Sequence, residues 1–147
     1  MTRIEPLTAG DRAAWMPLWR GYQLLYGVDI PEAVSTVTWE RLIDPGEPMG
    51  GAPAHGDDGA VGLVHHVLHR STWTVGNHCY LQDLFVAPGG RGRGVGRALI
   101  GHAEAVARAA NCSRLHWLTH ESNAGAMLLY DRVAERPGFV QYRKALG

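Results

Sequence analysis

The sequence predicts a mixed α/β (α+β) fold, a mostly antiparallel central sheet flanked by about four helices. Three observations carry this. Leu81, Leu84, Phe85 and Val86 have strand character, Pro88 and a double glycine stop that strand, and apolar residues then recur at 95, 98, 99, 103, 106, 107 and 110, which is helical spacing. Upstream, strand-like stretches flank the turn Gly56-Asp57-Asp58-Gly59, which predicts a hairpin and an antiparallel meander leading into the same strand. Finally, 147 residues with 46% apolar composition suffice for one core, so residues 1–147 read as a single domain.

Composition bounds the function. Basic and acidic residues balance at 14 each, which gives no general attraction for nucleic acid or an anionic membrane. There is no apolar run of about 18 residues, the length a transmembrane helix needs. Nor does the start show a charged-then-apolar signal pattern. Cys79 and Cys112 are isolated and lack metal or redox spacing, which fits a reducing cytoplasm.

The elements follow in order. Residues 2–7 make a short first strand, and Thr8 or Asp11 caps the next helix. That helix carries Trp15, Leu18, Trp19, Tyr22, Leu25 and Tyr26 on one face, with Pro17 fitting only in the first turn or at a kink. Trp15 and Trp19 read as core, Tyr22 and Tyr26 as pocket wall. The connecting segment Gly27-Val28-Asp29-Ile30-Pro31-Glu32 offers Asp29 and Glu32 to a cationic amine, or holds them as a solvated turn. A second helix covers about 31–43 with Val34, Val37, Trp39 and Leu42, and ends at Asp44-Pro45-Gly46. A weak strand over 50–55 and another from Ala60 to His69 follow. His65, His66 and His69 suggest zinc by residue type. Neighbours on a strand face opposite ways, however, and no Cys or acidic partner stands nearby, so they read as sheet surface or pocket wall and no metal is expected. After the long helix come a strand over Arg114–His120, a helix begun by Glu121-Ser122-Asn123, a break at Arg136-Pro137-Gly138, and a last strand over Phe139–Leu146.

The glycine-rich turn carries the chemistry. Backbone N–H groups at a helix start are unpaired and bind anions. Glycines let that backbone approach a ligand closely. Arg91, Arg93 and Arg97 add positive charge, so the turn predicts a phosphate-bearing ligand. Lys144 is the only lysine, so no Gly-Lys-Ser/Thr phosphate loop exists, and the dinucleotide pattern G-x-G-x-x-G has no match either.

What stands there is Arg91-x-x-Gly94-x-Gly96 after Asp83-Leu84-Phe85-Val86-x-Pro88. Later come Asn123-x-x-Ala126-x-x-Leu129-Tyr130 and Gly138-Phe139. Together these resemble the acyl-CoA-binding and C-terminal motifs of the GNAT N-acetyltransferase superfamily, whose element order runs along nearly the whole chain. The resemblance implies acetyl-CoA as donor. Amides of Arg91, Gly92, Arg93, Gly94, Val95, Gly96 and Arg97 would then hold its diphosphate, the backbone of Leu84, Phe85 and Val86 its pantetheine arm, and Asn123 would contact that arm. It places Tyr130 beside the CoA sulfur as general acid. It also implies direct attack by a primary amine (a small amine, amino acid, polyamine or lysine side chain) in a ternary complex, and a homodimer through the C-terminal strands.

Two departures stand out. Many relatives carry Glu where this chain has Gln82, and Gln accepts no proton. Asp83, His120 or a water chain then takes the base role, and strand alternation lets only one of Gln82 and Asp83 face the substrate. The spacing from Tyr130 to Gly138 is also longer than in the family's commonest form. The alternative function is a non-catalytic acyl-CoA-binding or sensing module, motivated by Gln82.

Overall fold

The computed structural model describes residues 2–147. In chain order it has β1 (Arg3–Ile4), a 3-10 turn (Ala9–Asp11), α1 (Arg12–Tyr26), α2 (Glu32–Leu42), β2 (Met49–Gly56), β3 (Gly59–His69) and β4 (His78–Val86). A second 3-10 turn (Pro88–Gly90), α3 (Val95–Ala109), β5 (Arg114–Trp117) and α4 (Ala124–Val133) complete it. The strands form one sheet in the order β1-β2-β3-β4-β5. The β1–β4 pairings are antiparallel, and β4 pairs β5 in parallel. This is the mixed, mostly antiparallel sheet with four α-helices that the sequence predicts.

The chain packs in three layers because each helix buries one stripe on the sheet. On one face Trp15, Trp19 and Leu18 of α1 and Trp39 and Leu42 of α2 pack with Leu63 and Phe85. On the other, Leu99, Ile100 and Ala103 of α3 pack on Ala52, Ala54, Val64 and Leu81, with Leu129, Tyr130 and Val133 of α4 alongside. At the start of α1 the Asp11 carboxylate accepts the Thr8 N–H at 2.7 Å and the Thr8 hydroxyl at 2.9 Å. Pro17 lies inside α1, beyond its first turn. The predicted apolar stripe of α1 is shorter than its spacing suggested. Leu25 and Tyr26 are exposed and Gln23 is buried, its side-chain oxygen accepting the Ile30 N–H at 2.8 Å and its amide donating to the Trp19 carbonyl at 3.3 Å.

Two features of the sheet position the site. The register runs His65↔Asp83 and then His66↔Leu81, so Gln82 is an extra residue, a β-bulge on β4. In addition, β4 pairs β5 only over His78–Leu81, so the edge of Gln82–Val86 facing β5 carries no strand partner and the two strands part.

The predicted last strand is corrected. Residues 134–147 form no strand, and Phe139, Val140, Tyr142 and Leu146 are exposed. Residues such as Phe139, Val140 and Tyr142 report that a segment can extend; a strand also needs a neighbour's backbone, which local sequence does not supply. The β5 strand likewise ends at Trp117, three residues before the predicted His120. Among the described residues, no helix is long and apolar enough to cross a membrane.

The fit of α1 on β4 depends on Gly21, where an added Cβ would stand 2.7 Å from Cζ of Phe85. Gly21→Ala is therefore expected to lose stability, by about 1–3 kcal/mol as for an overpacked core. Urea unfolding at neutral pH checks this, and wild-type stability would contradict the contact.

Candidate active site

A cavity of about 410 Å³ opens between α1, α2 and the sheet. Its walls are mostly apolar, with Val28, Ile30, Val34, Met49 and Val67 among them, and Asp83 is its only acidic residue. Trp19, Tyr22, His65 and Gln82 also line it. Gln82 and Asp83 thus both face the cavity, although the sequence reading allowed only one of them. The reason is the bulge, which turns two consecutive side chains to one side of the strand.

Asp83 is buried, with 8% of its surface exposed, and it is not left unpaired. Its carboxylate meets Nδ1 of His65 at 2.9 Å, while Nε1 of Trp15 donates to Nε2 of His65 at 3.0 Å. An indole nitrogen only donates, so Nε2 of His65 is the acceptor and the proton sits on Nδ1. His65 is therefore neutral and donates to Asp83. Tyr22 also hydrogen-bonds Asp83, and its hydroxyl is pushed well above the usual tyrosine range, first by burial and then by the Asp83 charge and that bond. Tyr22 stacks on Trp19 with centroids 5.4 Å apart and meets Tyr26 at 4.8 Å. Buried carboxylates persist where donors surround them, and Trp15–His65–Asp83–Tyr22 is such a set.

On the far side of β4 the cleft toward β5 leads to the glycine-rich turn. Gly92 and Gly94 both have φ of 75°, and a Cβ at either would meet nothing, so the turn takes a left-handed backbone that glycine favours and faces open space. No side chain caps α3, whose first amides have no intrahelical acceptor. Arg91, Arg93 and Arg97 are exposed around it, and Nε of Arg91 donates to the Val86 carbonyl at 3.3 Å. Uncapped amides, three guanidiniums and an unhindered turn suit the diphosphate of CoA. The free edge of β4 at Leu84, Phe85 and Val86 suits an amide-bearing arm, because an unpaired strand edge offers backbone donors and acceptors.

Tyr130 of α4 stands beside this cleft, its ring edge-on to Trp117 at 5.5 Å. Its hydroxyl is held above the usual range, first by burial and then by Tyr26, so it is protonated at neutral pH. Asn123 begins α4, its amide donating to the Thr119 hydroxyl at 3.3 Å. His120 is exposed and tied locally, its Nδ1 2.6 Å from the Ser122 hydroxyl. Asp29 and Glu32 are exposed and lie outside the cavity lining, while Val28 and Ile30 of the same connection line it.

The three consecutive-looking histidines separate. His65 joins Asp83, His66 turns to the α3 face near His102, and His69 reaches the end of β3. Sequence reasoning missed the roles of His65 and Trp15. The pair His65–Asp83 is 18 residues apart and His65–Trp15 is 50 apart, so no local spacing signals either.

The family model described as the acetyltransferase (GNAT) family matches residues 8–134. The chain is 33% identical over 143 residues to D-amino-acid N-acetyltransferase HPA3 of Saccharomyces cerevisiae, covering 96% of this chain and 89% of that protein. It is 36% identical over 91 residues to thialysine N-epsilon-acetyltransferase of Bos taurus, covering 62% of this chain and 49% of that one. Among solved structures, AAC(6')-Iy in complex with a bisubstrate analog, CoA-S-monomethyl-acetylneamine, superposes with a TM-score of 0.84 at 17% identity over 99% of each chain. A ribosomal-protein-alanine N-acetyltransferase from Brucella melitensis superposes at 0.81 with 20% identity, over 99% of this chain and 100% of that one. At such identities the superpositions speak for the fold alone.

Burial above all, with His102 beside it, lowers His66 from 6.5 to about 4, and its Nδ1 has no partner. The unfolded chain then takes up a proton on this residue before the folded chain does. The His66 contribution is whole above pH 6.5 and is lost as pH falls through about 4. Unfolding free energy measured by urea across that window should fall with pH, and His66→Gln should flatten the fall. An unchanged slope would contradict it.

Proposed function

The chain belongs to the acetyltransferase (GNAT) family and is an N-acetyltransferase, and we propose that it moves an acetyl group from acetyl-CoA to the amine of an amino acid or a lysine-like side chain, by direct attack in a ternary complex. The carrying observation is the placement of one buried carboxylate, Asp83, in an otherwise mostly apolar cavity on β4, with a phosphate-suited turn at the end of the same strand. Two relatives named for D-amino-acid and thialysine acetylation support an amino-acid-type acceptor within the wider range of small amines and polyamines. The match over 8–134 supports reading 1–147 as one such domain.

When bound, acetyl-CoA supplies an acyl group activated by its thioester. The chain does the rest. Amides of Arg91 through Arg97, with the guanidiniums of Arg91, Arg93 and Arg97, hold the diphosphate. Backbone groups of Leu84, Phe85 and Val86, with the Asn123 amide, hold the arm extended along β4, and a strand N–H there polarises the acyl carbonyl. Holding donor and acceptor together removes the entropy of encounter. Asp83 attracts the ammonium and takes its proton, directly or through a water, so that the nitrogen gains a lone pair. Tyr22, Tyr26 and Gln82 orient the acceptor. The Tyr130 hydroxyl gives its proton to the departing sulfur, which burial suits by keeping that proton in place until then. Asp29 and Glu32 at the exposed rim raise the local concentration of cationic acceptors, an effect that salt screens. Gln82 on its own motivates a sensing module, but Asp83 is a carboxylate one residue along, brought to the same cavity by the bulge.

We further propose a homodimer. The outer edge of β5 has no strand partner among the described residues, and Phe139 and Tyr142 are 80% and 94% exposed. Cytoplasmic residence is supported by two free thiols, Cys79 and Cys112.

Tyr130→Phe is expected to lower kcat by about 10²–10⁴-fold, the usual worth of a general acid, with acetyl-CoA affinity retained. Asp83→Asn should lower kcat by a similar factor and raise KM for the amine. Steady-state kinetics with calorimetry of acetyl-CoA binding check both, and full activity in either variant contradicts that residue's role. Light scattering should give twice the chain mass; a monomer contradicts the dimer.

A further inference from the structure

The cluster that the acetyl-transfer chemistry leaves unused lies at the other end of the sheet. His69 at the end of β3, His78 at the start of β4 and His116 of β5 each offer one ring nitrogen, and these nitrogens lie within 4.8 Å of one another. His69 and His78 are directly paired across β3 and β4, and His116 pairs Tyr80, two residues along β4 from His78. All three therefore stand on one face of the sheet. Nε2 of His69 and Nε2 of His116 are 3.1 Å apart, close to the roughly 3.3 Å that tetrahedral zinc with Zn–N bonds of about 2.0–2.1 Å imposes on two ligands.

The surroundings suit ligation. Nδ1 of His69 lies 2.8 Å from the Arg70 carbonyl, which only accepts, so Nδ1 carries the proton and Nε2 presents its lone pair. Such a backbone bond on the far nitrogen is how protein histidines are oriented toward metals. Tyr80 stacks on His116 with centroids 5.0 Å apart and fixes its plane. The opposing group is Arg114, whose guanidinium donates to Nδ1 of His78 at 3.0 Å. It occupies the third lone pair and repels a cation. In the same pose its guanidinium carbon lies 6.0 Å from the centre of the exposed Trp73 ring.

We propose that His69 Nε2, His116 Nε2 and His78 Nδ1 form a site for one borderline divalent cation of the zinc class, which loads when Arg114 withdraws from His78. Three neutral imidazoles without a carboxylate favour zinc, nickel, copper or cobalt over calcium and magnesium. The fourth position stays open to water. The residues that build the site lie on three strands, at positions 69, 78 and 116, where no sequence spacing announces them.

The test is calorimetric titration of zinc chloride into metal-stripped full-length protein without a polyhistidine tag, with cobalt(II) spectra read in parallel. One zinc per chain is expected, with visible bands of tetrahedral cobalt. His116→Ala and His69→Gln should each weaken zinc at least tenfold, and acetyl-CoA binding in both reports that the fold is intact. His69 is exposed, so its variant serves if the His116 variant fails to fold. Arg114→Ala should tighten zinc, because it frees Nδ1 of His78. Absence of stoichiometric binding, or equal affinity in wild type and both histidine variants, overturns the site. Unchanged affinity in Arg114→Ala overturns His78 as the third ligand.

Discussion

Most of the site depends on one irregularity, the extra residue at Gln82 in β4. A strand alternates its faces, and Leu81 faces the α3 layer. Without the bulge Asp83 would follow Leu81 to that side, among Leu99, Ala103 and Val64 and away from its partner His65. With the bulge, Asp83 faces the α1 layer, where His65 lies directly across in register. The same strand parts from β5 beyond Leu81, so one backbone serves two sites. Its side chains floor the cavity and its free edge lines the cleft.

The buried carboxylate then dictates its neighbours. A lone ionised acid in an apolar cavity would be costly, so the fold supplies donors. His65 gives Nδ1–H, and Trp15 fixes which nitrogen that is. Tyr22 gives its hydroxyl. The three residues come from α1 and β3, so the packing of α1 on the sheet and the state of Asp83 are linked. Gly21 belongs to the same joint, since it lets α1 settle against Phe85.

Much of this was legible in the sequence. The strand at 81–86, the glycine turn and the periodicity of α3 are local signals, each resting on residues within a turn or two of one another. The helix order and the hairpin at Gly56–Gly59 were legible for the same reason. What escaped reading depends on partners far along the chain. The bulge is a property of two strands in register, and nothing near Gln82 announces it. It is why Gln82 and Asp83 both face the cavity when alternation assigned only one. The His65–Asp83 bond and the grouping of His69 with His78 and His116 are likewise products of strand pairing. Strand-prone residues over 139–146 signal extension and carry no information about a neighbour, so a strand was expected there and none forms. Val28 and Ile30, rather than the charged Asp29 and Glu32, line the cavity. In the α1–α2 connection, charge drew notice to a segment whose apolar residues line the cavity.

The most direct measurement is thiol release from acetyl-CoA with a panel of D- and L-amino acids, lysine-type amines, polyamines and aminoglycosides. Turnover is expected with an amino-acid or lysine-type amine, and its loss when the cavity carboxylate is neutralised. Acetyl-CoA binding with no thiol released by any amine, or turnover indifferent to Asp83, would contradict it.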